Sequence, residues 1–299
     1  MKSWNFYDRP GFDKAGHLRT DKVWLEGQIA SDSSQIVPIW RSRNFVADIE
    51  NPRLTTVPMN KSIVDDSPVI VFLGLFNDTA HFAVDLSHYE KPPFRDEGRF
   101  ADLRAIGTLL PRDESSLMAF ARAHMTWHKR HKFCGCCGAA TKSKNGGHVR
   151  VCTNENCKTS CFPRIDPAVI MLIHDGGDRI VLGRKKTMLP GQHSILAGFV
   201  EPGESLENAV AREVFEEVGI EITDVHYHSS QPWPFPANIM LGFTARATTF
   251  ELNVDYNELE GGARWFSKEY LRNSPENDTF RLPRKDSISH RLMREWMET

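Results

Sequence analysis

The sequence predicts an α+β protein: a mixed sheet flanked by helices in the C-terminal half, preceded by a cysteine-rich module and a β-rich N-terminal domain. Three observations predict it. Apolar runs of strand length recur between turn-rich segments. All six cysteines fall between residues 134 and 161. An amphipathic acidic helix is predicted from about Ser205 to Gly219, with strand-like runs on both sides.

Composition bounds the class of protein. The chain has 299 residues, of which 40% are hydrophobic and 25% charged, as in an ordinary globular protein. A net charge of −2 gives no bulk attraction to nucleic acid or membrane, so an anionic substrate would be bound locally. No apolar run approaches the roughly 18 residues that span a bilayer, and the first ten residues lack a signal-peptide core. We therefore expect a cytoplasmic protein without a membrane partner.

Residues 1–125 are assigned to an N-terminal domain, because strand-like runs alternate there with Pro-rich turns. The runs are Gln35–Trp40, Val69–Leu73 and His81–Leu86. Ser115–His131 has apolar residues at helical spacing and predicts a helix. We interpret the basic run His128–Lys132 as a solvated helix end, where cations suit the dipole. His124 and His128 lie four residues apart, and we interpret both as packing or surface residues rather than metal ligands.

The cysteines of residues 126–163 predict a structural zinc ribbon that follows this helix. Two cysteine pairs can supply four thiolates to a tetrahedral Zn²⁺, which leaves no position for water. The expected ligands are Cys134, Cys137, Cys152 and Cys157. Cys161 and Cys136 are competing ligands. Disulfides are disfavoured without a secretion signal.

Residues 164–299 form the third predicted domain. Ala168–His174 and Arg179–Gly183 flank Asp-Gly-Gly-Asp, a hairpin signal. Further expected elements are the strands Ser194–Val200, Glu221–His228 and Ile239–Thr248 and the helix Ser287–Met297. Ser205 suits the N-cap of the acidic helix, which follows a loop carrying Gly198 and Gly203, and Gly219 suits its C-terminal stop.

The acidic helix predicts a cation site. At 100° per residue, Glu213, Glu216 and Glu217 share one sector, which overlaps the apolar face. Three carboxylates on a partly buried face repel one another and lose solvation, and they lie near the negative end of the helix dipole. A hard divalent cation with oxygen ligands would compensate them.

The same stretch resembles the Nudix box at every fixed position. Those positions are Gly198, Glu204, Arg212-Glu213, Glu216-Glu217 and Gly219-Ile220. The resemblance implies an α/β/α sandwich and a hydrolase of nucleoside diphosphates linked to another moiety. It also implies Mg²⁺ or Mn²⁺ on the helix carboxylates, with Glu217 as the base and Arg212 orienting a glutamate.

A second segment resembles one branch of that family, the NADH pyrophosphatases. Ser230-Gln-Pro-Trp-Pro-Phe-Pro236 matches the signature of the branch, whose members also carry a zinc ribbon and a stretch like Phe162-Pro-Arg-Ile-Asp-Pro167. Three prolines should hold the backbone near extended geometry and present Trp233 and Phe235 for ring stacking. From composition alone, a proline-stiffened turn with two core aromatics is equally favoured. Asn238 departs from the family Ser.

The resemblance implies a set of site residues. Substrate contacts are expected at Phe162, Ala197, Phe199, Gln231, Pro232, Trp233, Pro234, Phe235, Pro236, Ala237, Asn238 and Ser289. The additional metal ligand beyond the helix is expected at Glu258, with Glu260 as the alternative. The family also implies a homodimer.

The implied reaction is hydrolysis of NADH, and of NAD⁺ less well, to nicotinamide mononucleotide and AMP. Removal of NAD caps from RNA would use the same chemistry, with Arg130 and Lys132 as suggestive basic residues. ADP-ribose is another possible substrate. A non-catalytic NAD-sensing or nucleic-acid-binding regulator is disfavoured, because every acid of the box is present.

Overall fold

The computed structural model describes residues 5–8 and 12–299. The chain forms two compact units. The N-terminal unit comprises the described part of residues 7–165 together with Trp233–Ala237, and the C-terminal unit comprises Asp166–Pro232, Asn238–Thr299, Asn5 and Phe6. No helix in the described ranges is both long and apolar enough to cross a bilayer.

The N-terminal unit contains a six-stranded sheet and a three-stranded ribbon. The strands of the larger sheet are β1 Gln35–Trp40, β2 Arg43–Val46, β3 Val57–Pro58, β4 Ile70–Phe76, β5 Thr79–Asp85 and β6 Arg99–Ala101, in the order β4-β5-β1-β2-β6 with β3 also on β1. Those of the ribbon are β7 Thr141–Lys144, β8 Val149–Cys152 and β9 Ser160–Cys161. The helices are α1 Lys22–Ile29, α2 Lys61–Asp66, α3 Leu103–Ile106 and α4 Arg112–Arg130, with 3₁₀ turns at Gly16–Thr20 and Gly107–Leu109.

Helix α4 packs on one face of the larger sheet. Leu117, Ala121 and Met125, at helical spacing, contact Val37 and Ile39 of β1. The helix begins three residues before the predicted start. Pro111 precedes it and Asp113 and Glu114 occupy its first turn, where acids suit the dipole.

The C-terminal unit is built on a mixed six-stranded sheet. Its strands are β10 Asp166–His174, β11 Arg179–Gly183, β12 Leu196–Phe199, β13 Ile222–Trp233, β14 Asn238–Ala247 and β15 Ala263–Ser267, in the order β13-β14-β10-β11-β15 with β12 also on β10. The helices are α5 Leu206–Val218, α6 Lys268–Arg272 and α7 Ile288–Glu298. β10 runs parallel to β14 and antiparallel to β11 and β12.

Strand alternation in β10 produces the sandwich. Val169 and Met171 belong to the core that includes Val210 of α5, whereas Ile170 and Leu172 belong to the core that includes Leu292 of α7. Because successive side chains of a strand point to opposite faces, the central strand supports a helix layer on each side. This confirms the predicted α+β class and α/β/α sandwich.

The interpretation of His128 as part of a solvated helix end is wrong. The side chain is 1% exposed. Arg150 Nη1 lies 2.8 Å from His128 Nδ1, and Gly147 O lies 2.7 Å from Nε2. Because a guanidinium only donates, Nδ1 accepts and Nε2–H donates to the carbonyl, so the ring is neutral. Lys129, Arg130 and Lys132 are exposed as expected.

Acid should destabilise the protein through this histidine and its neighbour His148, whose Nε2 lies 2.7 Å from Phe72 O. Burial lowers the pKa of each ring from 6.5 to about 4, assisted by nearby cations such as Arg150 and Arg19. Between pH 6.5 and about pH 4, the two histidines therefore bind more protons in the unfolded chain than in the folded protein. The free energy of unfolding should therefore be highest above pH 6.5 and fall towards pH 4, by up to about 3 kcal/mol per histidine.

Denaturant unfolding at a series of pH values measures this slope. His128→Gln is the matched variant, because an amide can also accept from Arg150 and donate to Gly147 O without titrating. Its slope should be shallower than that of the wild type, and an unchanged slope would contradict the assignment.

Candidate active site

Helix α5 has the predicted caps. Ser205 accepts a hydrogen bond from the backbone N–H of Asn208 at 3.2 Å, and Gly219 ends the helix with φ of 70°. The left-handed conformation at Gly219 explains why glycine stands there. Both ends of the acidic helix are therefore fixed by local interactions.

The three helix glutamates differ in exposure. The side chain of Glu217 is 2% exposed, that of Glu213 14% and that of Glu216 57%. The expectation of three partly buried carboxylates thus holds for two and is wrong for Glu216. Helical rotation places Glu216 at the edge of the apolar stripe, where solvent reaches it.

Arg212 connects the acids. Its guanidinium donates to both carboxylate oxygens of Glu204 at 2.8 and 2.9 Å, to Glu213 Oε1 at 2.8 Å and to Glu216 Oε2 at 2.9 Å. It also donates to Phe199 O at 2.9 Å. The hydrogen bonds from Arg212 lower the pKa of Glu204 to about 2. Arg212 therefore holds Glu213 and Glu216 in fixed positions, as the resemblance implied.

Gly198 makes room for Glu213. It lies within β12, inside the predicted strand Ser194–Val200 and not in the loop that carries Gly203. A Cβ atom at this position would lie 1.8 Å from Cδ and from Oε2 of Glu213. Only a residue without a side chain allows the carboxylate to approach the strand this closely.

Gly198→Ala should therefore displace the Glu213 carboxylate and impair the site. We expect a rise of at least about tenfold in the metal concentration for half-maximal activity, comparable with the loss of an interaction that orients a ligand. A metal titration of the activity measures it. Gly27→Ala is the control, because a Cβ at Gly27 meets nothing within 4 Å. Equal metal requirements for the two variants would contradict this role of Gly198.

Glu217 is a buried carboxylate in an acidic surrounding. Its two oxygens are enclosed, and among the described residues neither accepts a hydrogen bond of good geometry. Lys185 Nζ forms an ion pair with it at 3.2 Å. Burial, assisted by Glu213 and Glu258 and opposed by Lys185, raises the pKa of Glu217 to about 7.

Lys185 also identifies the nearer of the two candidate acids beyond the helix. Its Nζ lies 3.3 Å from Glu258 Oε2, so Glu258 and Glu217 share one ammonium. Glu260 accepts instead from the backbone N–H of Lys186 at 2.8 Å. This arrangement favours Glu258 over Glu260 as the additional carboxylate.

These residues fit a divalent cation. Hard cations prefer carboxylate oxygens, and Glu217 is a buried acid whose oxygens lack adequate partners. Lys185 balances only part of the surrounding negative charge. Glu217 and its acidic neighbours Glu213 and Glu258 therefore offer oxygen donors of the type that a hard divalent cation prefers.

The expected substrate contacts of the C-terminal unit lie in different environments. Ala197, Pro232 and Asn238 are half-buried, and Phe199 is 57% exposed. Gln231 is enclosed, and its amide donates to the carbonyls of Asp286 and Phe6 at 2.6 and 3.1 Å. Ser289 is 2% exposed, with Oγ 2.9 Å from Ser194 Oγ.

The proline-rich segment is extended in β13 as far as Trp233, as expected, but the expectation is wrong from Pro234 onward. Pro234–Ala237 forms the turn, with a cis bond between Phe235 and Pro236. Trp233 and Phe235 pack edge-to-face, with ring centres 5.0 Å apart. The ring centre of Tyr7 lies 6.2 Å from that of Trp233 and 5.9 Å from that of Phe235. The alternative prediction, a proline-stiffened turn with packed aromatics, agrees with this geometry. Pro234 is buried and Pro236 exposed, and Phe162 is 64% exposed.

The four expected zinc ligands come together in the ribbon. The Sγ atoms of these residues, Cys134, Cys137, Cys152 and Cys157, all lie within 4.8 Å of one another. Two of the distances are 3.8 Å, between Cys134 and Cys157, and 3.4 Å, between Cys137 and Cys152. Tetrahedral Zn–S bonds of about 2.3 Å require sulfur–sulfur distances near 3.8 Å. Cys136 and Cys161 lie outside this cluster.

Sequence reasoning missed three residues. Lys185 contacts Glu217 and Glu258, which are far from it in the sequence. The sequence feature that could have drawn attention to Lys185 is the lysine pair that it forms with Lys186 shortly after β11. Tyr7 packs on the proline-rich turn. Arg122 donates to Pro234 O at 3.3 Å and lies 5.3 Å from the ring centre of Phe235.

Comparison with known families gives three consecutive matches. Residues 33–127 match the NADH pyrophosphatase-like rudimentary NUDIX domain, residues 129–162 the NADH pyrophosphatase zinc ribbon domain and residues 164–288 the NUDIX domain. The predicted boundaries, 1–125, 126–163 and 164–299, stay a prediction.

Several curated proteins are similar to the chain. The NAD-capped RNA hydrolase NudC of Mycobacterium bovis is 35% identical, over 99% of this chain and 96% of its own length. The NAD-capped RNA hydrolase NUDT12 of Macaca fascicularis is 43% identical over 63% of this chain, and the chloroplastic Nudix hydrolase 19 of Arabidopsis thaliana 44% identical over 68%. The matches span 43% and 50% of those two longer proteins.

Proposed function

We infer that this chain, which belongs to the NADH pyrophosphatase group of the Nudix hydrolases, hydrolyses the diphosphate bond of NADH. The products are nicotinamide mononucleotide and AMP, and NAD⁺ is the poorer substrate. The observation that carries the proposal is the enclosed carboxylate of Glu217, which lacks good hydrogen bonds and has Glu213 and Glu258 as acidic neighbours.

Glu213, Glu216, Glu217 and Glu258 would hold Mg²⁺ or Mn²⁺. Such a cation, when bound, supplies positive charge against the diphosphate and lowers the pKa of a water molecule. Glu217 accepts the proton of the attacking water, because it is the enclosed carboxylate whose oxygens the protein leaves without good hydrogen bonds. Arg212 acts as a positioning residue for Glu213 and Glu216.

Removal of NAD caps from RNA is a second candidate function of the same site. Relatives at 35% and 43% identity carry the name NAD-capped RNA hydrolase, and the bond cleaved would be the same. Arg130 and Lys132 are exposed and could contact RNA phosphates. The cytoplasmic location, the homodimer and the individual substrate contacts stay predictions.

Parallel assays of the metal-loaded protein test both candidates. NADH, NAD⁺, ADP-ribose and NAD-capped RNA are compared by kcat/KM, with product identity established by chromatography. We expect cleavage of NADH to nicotinamide mononucleotide and AMP, faster than cleavage of ADP-ribose. Preference for ADP-ribose would refute the proposed substrate, and failure to cleave any of the four would refute the proposed chemistry.

A further inference from the structure

The N-terminal unit contains an open pocket of about 500 Å³, and of its lining residues only Phe162 is among the substrate contacts expected for the proposed function. Three segments supply its polar side, with Lys14, Arg19, His124 and Asn145 among the lining residues. Val149, Phe162 and Pro163 line it as well and provide apolar surface. We call it the basic pocket. Its size is that of a small-molecule site.

The side chains that line the pocket carry net positive charge. Its lining, all of it within the described ranges, includes Lys14 and Arg19 but no Asp or Glu. Arg19 Nε is enclosed and has no hydrogen-bond partner among the described residues, while its Nη2 donates to Lys14 O at 3.4 Å. Asp8, the acid close enough to Lys14 for its pKa to be affected, is not part of the lining. A guanidinium in this position favours an anion.

His124 supplies a buried polar atom. The side chain is 6% exposed, and within the described structure its enclosed Nδ1 has no hydrogen-bond partner. The ring packs edge-to-face against Phe120 and His148, with centres 4.6 and 4.5 Å away. Burial and the surrounding cations lower its pKa, so the ring is neutral and can still donate one N–H.

The wall formed by the turn between β7 and β8 is fixed against the rest of the unit. Gly146 O accepts from the backbone N–H of Phe72 at 2.8 Å. Gly147 has φ of 89°, and a Cβ there would lie 2.7 Å from Ile70 O. This close packing positions Asn145 and His148 at the pocket before any ligand binds.

We propose that the basic pocket binds a small phosphomonoester, with Lys14, Arg19 and His124 contacting the phosphate and Val149, Phe162 and Pro163 contacting the organic group. A phosphomonoester carries about −1.5 to −2 charge at neutral pH, which matches two cations better than a carboxylate does. Its several acceptor oxygens also suit donors that converge from separate segments.

Calorimetric titration of the intact zinc-containing protein with AMP tests the proposal. AMP contains no diphosphate bond and is not consumed by the proposed reaction. We expect AMP to bind at least about tenfold more tightly than adenosine, because the free energy of one charge-assisted hydrogen bond corresponds to about a tenfold difference in affinity. Arg19→Gln should weaken AMP binding by about tenfold or more, and Lys14→Gln by several-fold.

Two controls separate this pocket from the acidic helix. Lys22→Gln removes an exposed cation outside the pocket lining and should leave AMP binding unchanged. Because AMP is a product of the proposed reaction, the titration omits Mg²⁺ and Mn²⁺, and under these conditions Glu217→Gln should also leave AMP binding unchanged. Equal affinity for AMP and adenosine would overturn the proposal. So would AMP binding that survives Arg19→Gln and Lys14→Gln but is lost in Glu217→Gln. If Arg19→Gln fails to fold, the exposed Lys14→Gln still decides the outcome.

Discussion

Replacement of Glu217 by Gln should lower kcat for NADH hydrolysis by about 10²- to 10⁴-fold, the contribution typical of a positioned general base. The amide has nearly the shape of the carboxylate but cannot accept the proton, and it is a weaker ligand for a hard cation. Steady-state assays at saturating metal measure the loss. Saturation with metal separates removal of the base from weakened metal affinity.

The same substitution should not destabilise the metal-free protein. Glu217 is 1% exposed, and its oxygens lack good hydrogen bonds, so burial of its negative charge costs free energy. A neutral amide reduces this cost, and we expect an equal or higher thermal midpoint. Loss of activity without loss of stability would identify a functional rather than a structural glutamate.

Glu207→Gln is the matched control, because Glu207 is exposed in the first turn of the same helix. Its activity should equal that of the wild type. Glu217→Gln with activity close to that of Glu207→Gln would show that the proton acceptor has been assigned to the wrong residue.

Local signals predicted much of the framework. Ser205 and Gly219 bound helix α5 because capping depends on a few adjacent residues. The hairpin of β10 and β11 and the apolar stripe of α4 were equally readable, since their periodicity reflects which side of an element is buried. The spacing of the ribbon cysteines predicted the four that cluster, but it left Cys136 and Cys161 as competing ligands.

The features that the sequence did not predict depend on contacts between residues that are far apart in the chain. His128 was read as solvated because it lies in a basic run, yet Arg150 and Gly147 enclose it. The proline-rich segment leaves its extended geometry at Pro234, and Phe235 packs on Tyr7, which lies far away in the sequence. Lys185 reaches Glu217 through the pairing of strands that carry it to the acidic helix. None of these contacts has a local sequence signature.

Loss of the ribbon zinc should cause the largest change in stability. Cys152→Ser removes one thiolate from the cluster, and Cys152 is 3% exposed. Structural zinc contributes apparent binding free energies of about 10–16 kcal/mol in zinc-finger peptides, and that energy is coupled to folding. We expect the variant to lose its zinc, one ion per chain in the wild type, and to unfold at a lower temperature. Elemental analysis and thermal unfolding measure the two effects.

The two additional cysteines provide controls for the ligand set. Cys136 is exposed and Cys161 half-buried, and both lie outside the cluster. Cys136→Ser and Cys161→Ser should each retain zinc and unfold like the wild type, whereas Cys157→Ser should behave like Cys152→Ser. Retention of zinc by Cys157→Ser together with its loss from Cys161→Ser would show that Cys161 is the fourth ligand.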